Sequence, residues 1–182
     1  MPAGTMLFPM RIGPISITAT LLLATGCGST GLAPVGNSLQ PAPDFSLATL
    51  KNQKIGLVDL KGKVVVLDFW ATWCPPCAQA LPHLQATATD TNLAQRGLVV
   101  LAVDEGEKPE TIRSFNDDRH FTFTVVQDAD GSVARDYSVL SLPMTFVIGR
   151  DGLVRAVISG WDQNTAQQID AAIAQALDSP VR

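Results

Sequence analysis

The 182-residue sequence contains only three cysteines, Cys27, Cys74 and Cys77. Three are too few for a small scaffold held together by disulfides. Histidine is scarcer, with only His83 and His120. Neither stands at paired ligand spacing with the cysteines, so a four-ligand zinc centre has no matching donor set. No metal or cofactor is expected. Charged residues make up 16% of the chain, 13 basic against 17 acidic, with no basic cluster. That balance argues against nucleic acid as a partner. Internal repeats are absent. The one long apolar stretch, Ile12–Gly26, is short for a membrane span. What remains is the length of one domain, with 46% apolar residues to fill a single core.

That apolar stretch reads as the h-region of a secretory signal. Arg11 is its only charge, and Ile15, Ile17, Leu21, Leu22 and Leu23 supply the apolar bulk. It ends in Leu23-Ala24-Thr25-Gly26-Cys27, which resembles a bacterial lipobox. The resemblance implies that Cys27 is lipidated and becomes the new N-terminus. The pattern usually has leucine three residues before the cysteine, where this chain has Ala24. An ordinary cleaved signal and an uncleaved anchor are the alternatives. Residues 27–41 are rich in Gly, Ser, Pro and Asn and read as a flexible tether. The expected division is therefore a signal over 1–26, a tether over 27–41 and one folded domain over 42–182.

The domain is organised around Leu67-Asp68-Phe69-Trp70-Ala71-Thr72-Trp73-Cys74-Pro75-Pro76-Cys77. The run Val64–Leu67 predicts a buried strand, and Ala78–Leu93 predicts a helix. Two cysteines at C-x-x-C spacing thus sit where strand hands over to helix. Unpaired N–H groups and the positive end of the helix dipole favour a thiolate at Cys74. Cys77, one turn on, is placed to attack a mixed disulfide formed on Cys74. Pro75 and Pro76 cost little, because first-turn N–H groups have no intrahelical partner to lose. Half a zinc site and a structural disulfide are the competing readings. The second gains little from closing so short a loop.

Asp68 is the odd residue in its strand. A carboxylate there is costly unless paired or protonated, and burial raises its pKa. It is either a proton acceptor for Cys77 or an ordinary hydrogen-bonded carboxylate at a sheet edge. Upstream, Phe45–Leu50 and Ile55–Val58 read as a β-hairpin. Downstream, Leu98–Val103 completes a βαβ unit. The acidic loop Asp104–Lys108 reads as solvated, with Pro109–Arg119 as a helix and Phe121–Val126 as a strand. Asp128–Gly131 reads as a turn capping a short helix. Pro143 opens a β-hairpin of Met144–Ile148 and Leu153–Ile158, and Asp162 caps a last amphipathic helix.

Trp73-Cys74-Pro75-Pro76-Cys77 with the downstream Leu142-Pro143 resembles the thioredoxin superfamily, in its extracytoplasmic TlpA/ResA-like branch. The resemblance spans roughly Ala42–Leu177. It implies an α/β thioredoxin-like fold: a central mixed sheet flanked by helices, an N-terminal hairpin and a central insertion over Pro109–Val126. It also implies that Cys74 is the nucleophile, Cys77 the resolving thiol, and the two a redox-active disulfide. Pro143 becomes a cis-proline facing them, and Leu142 presents its backbone to an extended substrate. Trp73, Pro75 and Pro76 would border that substrate, and Asp68 matches the buried acid of thioredoxin. Many reductive members carry glutamate three residues after the second cysteine. Ala80 stands there in this chain.

The function expected is a monomeric, membrane-tethered thiol–disulfide oxidoreductase outside the cytoplasm, working in the reducing direction. Its partners would be protein thiols and disulfides, apocytochrome c or its maturation factors among them, and a membrane thiol reductant. Two alternatives share parts of this signature. A peroxiredoxin-like peroxidase normally carries Pro-x-x-x-Thr-x-x before its cysteine, and Ala71 stands where that threonine would be. A copper(I) chaperone could use the same two thiols, but only Met144 adds a soft ligand near Pro143.

Overall fold

The computed structural model describes Met1 and residues 40–180. Cys27, the signal segment and most of the tether lie outside the described residues. Ordered contacts begin at once: Val154 N–H donates to the Gln40 carbonyl, and Pro41 bridges to Leu153.

The chain runs β1 (Ser46–Thr49), β2 (Lys54–Gly56), a 3-10 turn (Leu57–Leu60), β3 (Val64–Trp70), α1 (Pro75–Thr89), α2 (Thr91–Gln95) and β4 (Leu98–Asp104). It continues as α3 (Pro109–Arg119), β5 (Thr124–Gln127), α4 (Ser132–Asp136), β6 (Met144–Ile148), β7 (Val154–Ser159) and α5 (Gln163–Asp178). All seven strands join one mixed sheet in the order β2-β1-β5-β4-β3-β6-β7. β3 pairs parallel with β4 and antiparallel with β6. It is central, so the edge reading of Asp68 does not hold. The insertion does more than decorate the surface. Its strand β5 joins β4 to the N-terminal hairpin.

Alternation along β3 splits the core in two. Val64, Val66 and Trp70 face one layer with Leu81 and Leu84 of α1, Ile112 of α3 and Ile169 and Ile173 of α5. Val65, Leu67 and Phe69 face the other, against Phe45, Val133 and Tyr137. Both faces of β3 are therefore dry, and all seven of its residues are buried. This explains its unbroken apolar run.

Several expected elements differ in extent: the returning strand read over Ile55–Val58 ends at Gly56, and Leu57–Leu60 is a 3-10 turn. The helix foreseen over Ala78–Leu93 breaks at Asp90. That residue is extended and caps α2, its carboxylate accepting the N–H of Asn92 at 2.8 Å and of Leu93 at 3.0 Å. Pro82 lies inside α1 without ending it, and its side chain is exposed. The strand foreseen over Phe121–Val126 begins only at Thr124. The N–H groups of Thr122 and Phe123 go instead to Gln85 Oε1, at 2.7 and 3.2 Å. Phe123 turns its ring edge-on to Trp70, with centroids 6.2 Å apart. The two hairpins, the Asp128 cap on α4 and the Asp162 cap on α5 form as expected.

Leu81 is fully buried beneath the C-x-x-C turn, whereas Asp162 caps an exposed helix start. Leu81→Ala should destabilise by about 3 kcal/mol and Asp162→Ala by about 1 kcal/mol, read from denaturant unfolding midpoints.

Candidate redox site

Cys74 is the N-cap of α1, in extended conformation, and its Sγ accepts the Cys77 N–H at 3.2 Å. Pro75 and Pro76 occupy the first helical positions, where no backbone bond is lost. Cys74 and Cys77 form a disulfide with their Cα atoms 5.2 Å apart. The helix start thus places one N–H directly on the sulfur that would carry charge after reduction.

The two sulfurs differ in access. Cys77 is sealed, at 0% exposure, while Cys74 retains 4% and lines an open groove of about 360 Å³. Trp73, Pro75, Pro76 and Leu142 line the same groove, so four of the five residues expected to border a substrate converge there. The fifth, Pro143, is buried below the surface, and its bond to Leu142 is cis. Leu140, Val139 and Glu105 complete the walls without having been anticipated. The rim is openly apolar: Trp73 is 67% exposed and Leu140 is 90% exposed. A larger hollow of about 480 Å³ lies around Val65 and Ile148 at the other end of β3, and it holds none of the sulfur chemistry.

Asp68 sits in the middle of β3, opposite Ala102 and Thr145. Its Oδ1 accepts the Thr145 hydroxyl at 2.7 Å, and Oδ2 has no partner among the described residues. Burial pushes its carboxyl up to about 7, against a smaller downward pull from Thr145. A cavity of about 10 Å³ borders it, lined also by Ala80, His83 and Trp161. That is about the space of one water. His83 packs against Trp161 with ring centroids 5.3 Å apart. Its Nε2 lies 3.1 Å from Asp170 Oδ1, too oblique to count as a hydrogen bond.

The acidic loop after β4 is not simply solvated. Glu107 Oε2 accepts the Thr72 N–H at 2.6 Å, and Oε1 accepts the Thr72 hydroxyl at 2.5 Å. Asp104 is fully buried, and its Oδ1 accepts the Glu107 N–H at 2.9 Å. Burial raises Asp104 to about 7; the bond from Glu107 N–H opposes this, while the neighbouring Glu107 and Glu105 carboxyls add to it. Glu105 is raised too, by burial first and then by Asp128. Sequence reasoning missed Glu107 because nothing local ties it to Thr72, 35 residues away. The one available signal was parity: Thr72 and Glu107 each lie just past the end of a predicted parallel strand. Among the described residues, no group of three or more His, Cys, Asp or Glu is arranged to hold a metal ion.

Comparison with known proteins agrees with this geometry. The profile of the AhpC/TSA family matches residues 39–157. The chain is 40% identical over 124 residues to the thioredoxin-like protein YneN of Bacillus subtilis, covering 66% of this chain and 71% of that one. It is 33% identical over 129 residues to the thiol-disulfide oxidoreductase ResA of Bacillus thuringiensis, covering 71% and 72%. A crystal structure of a candidate thiol:disulfide interchange protein DsbE from Chlorobium tepidum superposes with a TM-score of 0.70 at 34% identity, covering 77% of this chain and 97% of that one. With its mixed seven-stranded sheet and a C-x-x-C disulfide at the start of α1, the chain belongs to the AhpC/TSA family, and within the thioredoxin superfamily to the ResA-like thiol–disulfide oxidoreductases.

Proposed function

We propose that this protein is an extracytoplasmic, membrane-tethered oxidoreductase that reduces disulfides in partner proteins through Cys74 and Cys77. The observation that carries this reading is the asymmetry of the two sulfurs: Cys74 borders an open groove and Cys77 is sealed behind it. Only Cys74 can meet a docked disulfide. Its thiolate attacks one partner sulfur. The partner S–S bond breaks, a Cys74–partner bond forms, and the second partner sulfur leaves as a thiolate that takes up a proton. Cys77 then gives its proton to the Asp68 carboxylate and attacks the Cys74 sulfur. The first partner sulfur is released, and the Cys74–Cys77 bond re-forms. Two electrons pass to the partner; of the two protons it gains, one comes from Cys77 by way of Asp68 and the other from solvent, because Cys74 enters as a thiolate. A membrane thiol reductant returns the pair to the dithiol.

Asp68 suits this step because a base titrating near the working pH both accepts and releases a proton readily. Trp73, Pro75, Pro76 and Leu142 would contact the extended partner segment, and Pro143 would shape the floor beneath it. Proteins with accessible disulfides, apocytochrome c and its maturation factors among them, are the substrates this reading favours. The tether rests on the apolar run before Cys27 and the small residues flanking that cysteine. The same division assigns 1–26 to a signal, 27–41 to the tether and 42–182 to the catalytic domain.

Cys74→Ser should bring insulin reduction down to background, and Cys77→Ser should accumulate a mixed disulfide visible on non-reducing gels. Peroxide consumption by the wild type without a disulfide substrate, or tight copper(I) binding without reductase activity, would instead support the peroxidase or chaperone reading. Cys27→Ser should abolish palmitate labelling and move the protein from the membrane fraction to the soluble one.

Asp68→Asn tests both the proton role and its cost. Between about pH 4 and pH 7 the unfolded chain ionises this carboxyl while the folded chain keeps it protonated. Stability from this residue is therefore complete below about pH 4 and is lost as pH rises through about 7. Asp104 contributes a second decline of the same sign. Asp68→Asn should remove its own share, stabilising the fold at pH 7 by about 2–4 kcal/mol. It should slow the resolving step about 100-fold, seen as a longer-lived mixed disulfide. Thermal unfolding across pH and quenched-flow trapping check the two halves separately.

A further inference from the structure

Glu107 is held from three sides. Asp104 Oδ1 takes its N–H at 2.9 Å, Gln127 Nε2 donates to its carbonyl at 3.2 Å, and its carboxylate takes both donors of Thr72. Thr72 lies two residues before Cys74, in the short connection between β3 and α1. The clamp therefore ties the approach to the redox turn onto the loop that leaves β4. Among the described residues, no lysine or arginine pairs with Glu107. Its charge is met by the Thr72 dipoles alone and is not cancelled.

We propose that Glu107 is a positioning residue for the redox reaction: its carboxylate fixes Thr72, and with it the Trp73–Cys74 segment, and sets a negative charge that holds the pair on the reducing side. The inference rests on the disulfide-exchange reading above and adds a determinant of its direction. A fixed like charge disfavours the Cys74 thiolate. A reduced form that is less stabilised gives up its electrons more readily, which lowers the potential of the pair. The other buried acid near the turn, Asp68, is assigned to proton transfer in the reading above and lies on a different side, against α1 and α5. Of the neighbouring carboxyls, Asp104 faces both Glu107 and Glu105, and Glu105 in turn faces Asp128. Asp104 stays protonated below about pH 7, so it adds no charge there.

The test compares Glu107→Gln with Glu110→Gln. Both lose one negative charge, but Glu110 is an exposed residue of α3 whose carboxylate lies 3.7 Å from Arg113. The disulfide–dithiol equilibrium of each full-length variant is measured against glutathione at about pH 6 in an Asp104→Asn background, because Glu107 itself helps to raise Asp104. The thiolate titration of Cys74 is followed by ultraviolet absorbance. Glu107→Gln should shift the equilibrium towards the dithiol by about three- to tenfold and lower the Cys74 titration midpoint, with Glu110→Gln unchanged. Thr72→Val should slow disulfide exchange, and Thr72→Ser, which keeps the hydroxyl, should restore it. If Glu107→Gln fails to fold by circular dichroism, the threonine variants decide alone. Equal potentials for folded Glu107→Gln and Glu110→Gln, or equal exchange rates for Thr72→Val and Thr72→Ser, would overturn the proposal. Lack of insulin reduction by the wild type would instead overturn the underlying function.

Discussion

The parallel pairing of β3 with β4 is the constraint from which the site follows. Register places Val64 against Leu98 and Trp70 against Asp104, so both strands leave the sheet at the same level. One exit carries Thr72 and the C-x-x-C turn; the other carries Glu105 and Glu107. Neither strand can slide, because a one-residue slip would turn every buried side chain of β3 to the opposite layer. The position of Cys74 is thereby set by packing many residues away from it. The final residues of β3 are held the same way: Trp70 is enclosed by Phe115 at 5.4 Å and Phe123 at 6.2 Å. The redox turn starts from a rigid base.

Burial of acids on that base is the second feature. Asp68 and Asp104 both project into the layer that holds α1, α3 and α5, and each leaves one oxygen without a donor among the described residues. A charged carboxylate so placed would be costly, so burial dominates both titrations and raises them to about 7. Two groups with similar titration have different neighbours. Asp68 meets a hydroxyl and a water-sized cavity, and Asp104 meets a backbone N–H and two acidic side chains. The first environment suits proton exchange, and the second suits holding a loop.

Much of this was legible in the chain because it is encoded locally. The apolar run Val64–Leu67, the prolines after Cys74, the turn before β7 and the Asp162 cap each carry their own signal within a few residues. Asp68 is legible as a carboxylate in an apolar strand, but whether that strand lies at the edge or the centre is not, because strand order is a property of the whole sheet. Asp90 and Gln85 illustrate the limit in another way. A single side chain ends α1 in one case and withholds two N–H groups from β5 in the other. Periodicity carries no trace of either bond. The Thr72–Glu107 contact was hidden for the same reason, since an acidic run in a loop looks solvated until the opposing strand is placed beside it.

The exposed apolar rim bears on how partners are chosen. Trp73 and Leu140 leave large apolar surfaces in water, where burial would favour folding by about 25 cal/mol per Å². Exposed apolar groups beside a groove suit the docking surface that the proposed mechanism needs. The sulfur they surround is almost hidden. In the proposed mechanism, an extended partner that covers Trp73 and Leu140 would be brought down onto Cys74, of which a small thiol in solvent meets little. On that reading, selection by the rim and reactivity at the helix start would be separate properties. In the proposed mechanism, changes to Trp73 or Leu140 alter which proteins bind, and changes to Glu107 or Asp68 alter what happens to the electrons and protons once they have bound.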